Sequence, residues 1–162
     1  MIDFDFLVVF IVLFVINNIF LGILSKKYSF FDKKLMNKLY WYHFVFFVIY
    51  FIYGIYNRSD SLLYYITAQD KGDEWLQLFQ TGTKFVSFFA IPLVQMGLSF
   101  SSVMLVSSWF GYIGFVYAYI YFRENIPINI KVFGQFDILQ LLLFLPNMHF
   151  WTASLGKGSL IF

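Results

Sequence analysis

The stretch Phe6-Leu-Val-Val-Phe10-Ile-Val-Leu-Phe-Val15-Ile-Asn-Asn-Ile-Phe20-Leu-Gly-Ile-Leu-Ser25 has 20 residues and no charged side chain. An α-helix of that length rises about 30 Å, the thickness of the hydrocarbon core of a bilayer. The run is too long and too evenly apolar for a signal peptide, and Asp3 and Asp5 precede it where a signal peptide would carry basic residues. It predicts a first membrane-spanning helix over 6–25. Asn17 and Asn18 in its middle are expected to face a neighbouring helix and bond across it.

The rest of the chain agrees. Of 162 residues, 60% are hydrophobic, 25% aromatic and 12% charged, with no cysteine, and the mean hydropathy is +0.73. Globular domains are about half apolar and a quarter charged, so a soluble domain of this size has no place to hide so much apolar surface. The same composition excludes disorder, a coiled coil, collagen and a disulfide scaffold. A net charge of +2 is too small to make a basic nucleic-acid-binding face. Absence of cysteine removes thiol nucleophiles, thiolate metal sites and disulfides. What remains is an all-α, polytopic helical membrane protein. Each of its 20 charged side chains, 11 Lys and Arg with 9 Asp and Glu, is then a topological marker or a functional candidate.

Lys26, Lys27, Lys33, Lys34 and Lys38 follow the first run, and by the positive-inside rule they mark a cytoplasmic loop. A second span returns over 39–57, with Tyr40, Trp41 and Tyr42 at its cytoplasmic edge as an interfacial belt. Residues 57–97 form the main outer loop. Within it Leu62, Leu63 and Ile66, and then Trp75, Leu76 and Phe79, have the spacing of short amphipathic helices lying at the interface. The 38 uncharged positions between Lys84 and Arg123 are too many for one helix and few for two. Pro92 and Gly97 divide them into a re-entrant or interfacial helix from Thr83 to Met96 and a third span over 98–122.

Ser99, Ser101, Ser102, Ser107, Ser108, Gly111 and Gly114 on the third span predict close helix packing. Arg123 and Lys131 mark the return to the cytoplasm, and the loop from Arg123 to Asp137, which contains Asn-Ile-Pro-Ile-Asn at 125–129, reads as a short irregular connector. A fourth span is expected over 138–156, interrupted by Pro146-Asn147 and His149. Seven Lys and Arg then lie inside against four outside, namely Arg58, Lys71, Lys84 and Lys157. The N terminus is outside. The whole is expected to be one transmembrane domain over 1–162, about four spans with short helices in the outer loop, and the N-terminal part of a longer protein.

No Walker loop, dinucleotide fingerprint, HExxH or Gly-x-Ser-x-Gly occurs, so the functional candidates are positional. Asn57-Arg58-Ser59-Asp60-Ser61, followed by Tyr64-Tyr65, sits just outside the second span. Asp60 could act as general base on an acceptor hydroxyl while Arg58 binds phosphate. The same two residues would equally serve as a solvated helix end. In Leu145-Pro146-Asn147-Met148-His149 through Lys157 the proline frees backbone groups, and His149 and Lys157 could bind phosphate or donate a proton. His149 would otherwise be a hydrogen-bonded packing residue and Lys157 a snorkelling one. Thr81-Gly82-Thr83-Lys84-Phe85 opens the short helix, where free N–H groups and Lys84 would attract an anion. No metal site is expected: the two histidines, His43 and His149, fall in different spans and the outer carboxylates show no ligand spacing.

Together these pieces resemble the N-terminal part of the EpsG-type and Wzy-type polysaccharide polymerases and, more loosely, the membrane-embedded glycosyltransferases of the C architecture. The likeness rests on five features: the lysine-rich first loop, Asp60-x-x-x-Tyr64-Tyr65, Gly82-Thr-x-Phe85 with Pro92-Leu93, Gly97-Leu-Ser-Phe100, and Leu145-Pro-x-x-x-Phe150-Trp ending at Lys157. The resemblance implies transfer of a sugar or oligosaccharide from a polyprenyl-phosphate-linked donor at the outer face of a bacterial inner membrane, with membrane lipid and a lipid-linked oligosaccharide as partners. Asp60 would match the family's first-loop acidic base. Arg58 and Lys157 would meet the donor phosphates, with Tyr64, Tyr65, Lys84 and His149 around the substrate. A transporter or a non-catalytic assembly subunit is the competing reading.

Overall fold

The computed structural model describes residues 3–125, 131–132 and 136–161. In chain order its elements are α1 (Phe4–Lys27), α2 (Lys33–Tyr56), α3 (Asp60–Asp70), a 3₁₀ helix (Gly72–Leu78), α4 (Thr83–Gln95), α5 (Phe100–Asn125), β1 (Lys131–Val132), β2 (Phe136–Asp137), α6 (Ile138–Leu143), α7 (Pro146–Thr152) and α8 (Lys157–Ile161). The fold is helical apart from the two-residue antiparallel pairing of β1 with β2. Most of the expected connector Asn-Ile-Pro-Ile-Asn, from residue 126 on, lies outside the described residues.

Among the described residues three helices, α1, α2 and α5, are long and apolar enough to cross a membrane. α2 begins at Lys33 rather than Leu39, because the Asp32 carboxylate accepts from the Leu35 N–H at 3.0 Å and caps the helix there. The lysine loop is accordingly shorter than its charge pattern suggested, with Lys33, Lys34 and Lys38 on helix. The segment expected as a fourth spanning helix over 138–156 is not one helix. It divides into α6 and α7 at Phe144 and Leu145. Pro146 is the physical cause: it has no N–H, it holds Leu145 extended, and it occupies the first position of α7, where proline fits.

On α1 the buried residues are Leu13, Asn17, Leu21 and Leu24, one narrow stripe at helical spacing. Leu7, Val8, Ile11, Val12, Val15, Ile16, Ile19 and Ile23 are exposed, an apolar face that calls for a hydrocarbon solvent. Asn17 is fully buried, as expected of a residue facing a neighbour, but neither its Oδ1 nor its Nδ2 makes the expected hydrogen bond across to another helix, and Asn18 bonds back to Phe14 O on its own helix at 2.8 Å. α5 is the opposite case. Ser101, Ser102, Val103, Met104 and Leu105 are buried in succession, so its first turns are surrounded, while Phe110, Tyr117, Tyr121 and Phe122 leave one side open further along.

Two apolar clusters fill the molecule. One joins Leu21, Leu24 and Met36 with Tyr112, Phe115, Leu139 and Leu143 at the lysine-rich end. The other joins Leu13, Phe47, Tyr64, Val86, Met104 and Leu155 at the end bearing α3 and α4. Polar clasps close both ends. Asp5 Oδ2 accepts from Ser99 N–H at 2.8 Å and from Ser102 Oγ–H at 2.6 Å, so the start of α1 caps the start of α5. Arg123 in the last turn of α5 pairs with Asp137, whose other oxygen caps α6 through Leu139 N–H.

The expected close packing on α5 is present. Ser107 Oγ–H donates to Ser154 O at 3.2 Å, and its oxygen lies 2.8 Å from Ser159 Oγ of α8. At Gly111 a Cβ would stand 2.3 Å from Thr152 O, a backbone atom that cannot swing aside. Gly111→Ala must therefore push α7 off α5, and a loss of about 1–3 kcal/mol is expected. Gly22→Ala serves as control, since a Cβ there meets only Lys33 Nζ at 3.7 Å. Thermal unfolding in one detergent should lower the midpoint for the first variant and leave the second within the scatter of the native chain.

Candidate functional site

Gly82 has φ +78°, the left-handed region that glycine enters without strain, and turns the chain into α4. The first turns of α4 stand between two clefts. On one face Thr83, Lys84 and Ser87 line a cleft of about 360 Å³ together with Asp60, Leu63, Tyr64, Thr67, Lys71 and Leu78. On the other, Gly82, Phe85 and Val86 line a cleft of about 440 Å³ with Phe79, Gln80, Thr81, Lys157 and Leu160. The first is mixed polar and charged. The second is walled by aromatic and aliphatic groups, and among the described residues Lys157 is its one charged member.

Asp60, in the first turn of α3, is the one carboxylate among the described residues that lines either cleft. Tyr64 lies one turn further along the same face and is 8% exposed. Burial, then the negative charge of Asp60, then Tyr50 push its phenol above the ordinary tyrosine value, so Tyr64 is a hydroxyl donor rather than a base. The two ammonium groups differ in what holds them. Lys71 Nζ pairs with Glu74 at 3.3 Å, whereas Lys84 Nζ–H donates to the neutral Gln80 Oε1 at 3.0 Å. Lys84 thus keeps a charge that no carboxylate in ion-pair range offsets among the described residues.

Of the residues singled out in the sequence, Asp60, Tyr64 and Lys84 meet at one cleft and Lys157 lines the adjoining one. The other three are elsewhere. Arg58 is exposed in the link between α2 and α3 and lines neither cleft. Tyr65 points away from its neighbour Tyr64, because adjacent residues of a helix lie about 100° apart. Its hydroxyl donates to Leu98 O at 3.1 Å and its ring meets Phe100 edge-on at 5.5 Å. Burial first, then Asp5 and Asp3, hold that phenol above its ordinary value. His149 is fully buried against α2 and α5, far from a surface role, with its ring nitrogens on His43 and Leu143 O.

Sequence reasoning passed over Thr67, Lys71 and Ser87 at the polar cleft. The first two were legible: Asp60, Tyr64, Thr67 and Lys71 are spaced four, three and four apart, one face of a helix. The proximity of His43 to His149 was not legible from spacing, since 106 residues separate them. Among the described residues no group of three or more His, Cys, Asp or Glu is placed to hold a metal ion.

Comparison with protein-family models, with curated proteins and with solved structures gave no match. The residues of the two clefts are therefore the ground on which function is argued. An aspartate, two lysines of different freedom and a neutral phenol can bind an anionic, hydroxyl-bearing group, and the apolar cleft beside them can take a hydrocarbon chain.

Because Tyr65 anchors the start of α5 instead of lining the cleft, Tyr65→Phe should lower stability by about 1 kcal/mol through the loss of one hydrogen bond to Leu98 O. Phosphate binding, followed by the chemical shift of a ¹⁵N-labelled Lys84 ammonium, should be unchanged in that variant. A stability equal to the native chain, with altered phosphate binding, would put Tyr65 in the site.

Proposed function

We propose that this chain is an integral membrane glycosyltransferase or polysaccharide repeat-unit polymerase that acts on polyprenyl-phosphate-linked sugars at the outer face of a bacterial inner membrane. The observation that carries this reading is the pairing of a polar, Asp60-bearing cleft with an apolar one across the first turns of α4. A polyprenyl-phosphate sugar is an amphiphile with the same division. Its hydrocarbon suits the walls made by Phe79, Phe85, Val86 and Leu160, its phosphate suits Lys84 and Lys157, and its sugar suits the cleft of Asp60 and Tyr64.

In this reading Asp60 takes the proton of an acceptor hydroxyl as that oxygen bonds to the anomeric carbon of the donor. The bond from the same carbon to the phosphate oxygen breaks, and the phosphate leaves with the electron pair, its charge met by Lys84 and Lys157. Arg58, exposed beside α3, meets the donor on its way in. Tyr65 and His149 support the site through packing.

The same reading sets the protein in its membrane. The segment α6–α7–α8 is a discontinuous fourth crossing. It starts at the Asp137 clasp with Arg123, passes His43 on α2 and reaches the apolar cleft at Lys157. α4, only 13 residues long, is a re-entrant or interfacial helix. Lysines 26–38 lie in the cytoplasm, and the N terminus and residues 57–97 lie outside, in keeping with the excess of basic residues at the lysine-rich end.

Asp60→Asn should reduce polymer extension in membranes by about 10²-fold or more while insertion is unaffected, and Lys84→Gln and Lys157→Gln should lower kcat and kcat/KM together, since the charge they meet develops on the leaving phosphate. Undiminished extension in Asp60→Asn would make Asp60 an anchor of α3 and overturn the catalytic role. Orientation is read separately, in a chain with no cysteine of its own. A maleimide that does not cross membranes should label Gln77→Cys from outside intact cells and should reach Ser29→Cys only after permeabilisation. The reverse pattern would place the clefts on the wrong face.

A further inference from the structure

His43 on α2 and His149 on α7 meet Nδ1 to Nδ1 at 2.8 Å, with 3% and 0% of their surface exposed. The outer nitrogen of each ring faces a backbone carbonyl: His43 Nε2 lies 3.0 Å from Ser108 O, and His149 Nε2 lies 2.6 Å from Leu143 O. A carbonyl oxygen only accepts, so both Nε2 atoms carry hydrogen and donate. Two neutral imidazoles have one N–H each, and those two are now spent. The Nδ1 atoms would then aim lone pair at lone pair across 2.8 Å, a distance at which nitrogen atoms are hydrogen-bonded or repel. Turning one ring to its other tautomer moves the repulsion to a carbonyl. A third proton between the Nδ1 atoms satisfies all four nitrogens at once.

We propose that the His43–His149 pair is a proton-binding site in the interior of the helix bundle, holding three protons over two rings with the third shared between the Nδ1 atoms. Its ligand is the proton itself. A bridging zinc does not fit, since at bonds of about 2.0–2.1 Å its tetrahedral angle would set the two nitrogens about 3.3 Å apart rather than 2.8 Å, and among the described residues no group of three or more His, Cys, Asp or Glu is placed to complete a metal's coordination. The charge of the imidazolium is costly to bury, and the groups that surround the pair act against that cost. Phe115 stacks on the His149 ring at 4.2 Å and 7°, and Tyr42 and Phe46 close on it at 4.8 and 5.9 Å. Aromatic faces attract a cation strongly where water is excluded. The two carbonyls supply negative ends of dipoles along the same line.

The titratable groups facing the pair are Tyr42 and Tyr40 on α2 and Tyr112 on α5. Tyr42 donates its hydroxyl hydrogen to Phe144 O and Tyr112 donates to Met36 O, so neither bonds to the imidazoles. Among the described residues no Asp, Glu, Lys or Arg makes a hydrogen bond or ion pair with either ring. The pair also spans four elements, α2, the middle of α5, the end of α6 and α7, so its proton joins the broken segment to the two helices it packs on. Loss of that proton converts an attractive contact into a repulsive one. The site lies about 15 Å along α2 from Lys33 and is independent of the clefts at α4.

With only two histidines in the chain, ¹⁵N-histidine labelling of the full protein in lipid nanodiscs reads the pair directly. At pH 7.5 three of the four ring nitrogens should be protonated, and a through-hydrogen-bond coupling should join the two Nδ1 atoms. Two neutral rings with bare, uncoupled Nδ1 atoms at pH 7.5 would overturn the proposal. In His43→Asn, His149 should become a single neutral ring that still donates to Leu143 O, and an imidazolium persisting there would also overturn it. If that variant fails to fold, the nitrogen spectrum of the native chain decides alone.

Discussion

Pro146 breaks the helix that leads up to it, and the carbonyls of Leu143 and Phe144 just ahead of the break are left without helical partners in an apolar bundle. Water cannot reach them, so the protein must supply donors, and an unpaired carbonyl in such surroundings costs several kcal/mol. It supplies them from two directions. Tyr42 of α2 donates to Phe144 O at 3.0 Å, and His149, itself on α7, turns back to Leu143 O at 2.6 Å. Much else follows from that obligation. His149 is committed through Nε2, its Nδ1 is directed at His43, and His43 is in turn committed to Ser108 O. A single helix break thereby dictates the polar interior of α2, α5 and α7.

The second constraint is the crowding of α5. A helix buried over most of its length needs small residues where backbones cross it, and its serines and Gly111 provide them. Ser107 reaches α8 through Ser159, and Gly111 admits the Thr152 carbonyl. Gly158 does the same within the broken segment, since a Cβ there would lie 2.5 Å from Trp151 O. α6, α7 and α8 are each too short to be stable as isolated helices. They hold their shape because α5 gives them a close-fitting surface and because Asp137 and Arg123 fix where they begin.

The three long helices were legible in the sequence because a charge-free run of bilayer length is at home in few places besides lipid, and the one end that moved by more than a turn, the start of α2, is where the Asp32 cap decided it. The serine and glycine content of α5 was legible in a similar way: small residues in an apolar helix imply close neighbours. The division of 138–156 was half legible. Pro146 announced a break, but periodicity cannot tell which carbonyls it leaves open or what answers them. At the clefts, Asp60 and Tyr64 were found by their place just outside the second span, Lys84 at the opening of a short helix, and Lys157 at the end of the segment that Pro146 breaks. Tyr65 and His149 went elsewhere because chemistry-bearing residues are also the residues that satisfy backbone groups, and only three-dimensional neighbours reveal which duty prevails.

Asp5 clasps Ser99 and Ser102, which lie 94 and 97 positions further along the chain. For a protein threaded into a bilayer from one end, this means that the first helix is inserted long before its partner exists. Until α5 arrives the carboxylate of Asp5 has only water and lipid headgroups to answer it, and α1, with its single narrow stripe of buried contacts, has little else to hold it in register. The arrival of Ser99 settles both its depth and its rotation at once. The clasp therefore cannot close until the chain through Ser102 exists.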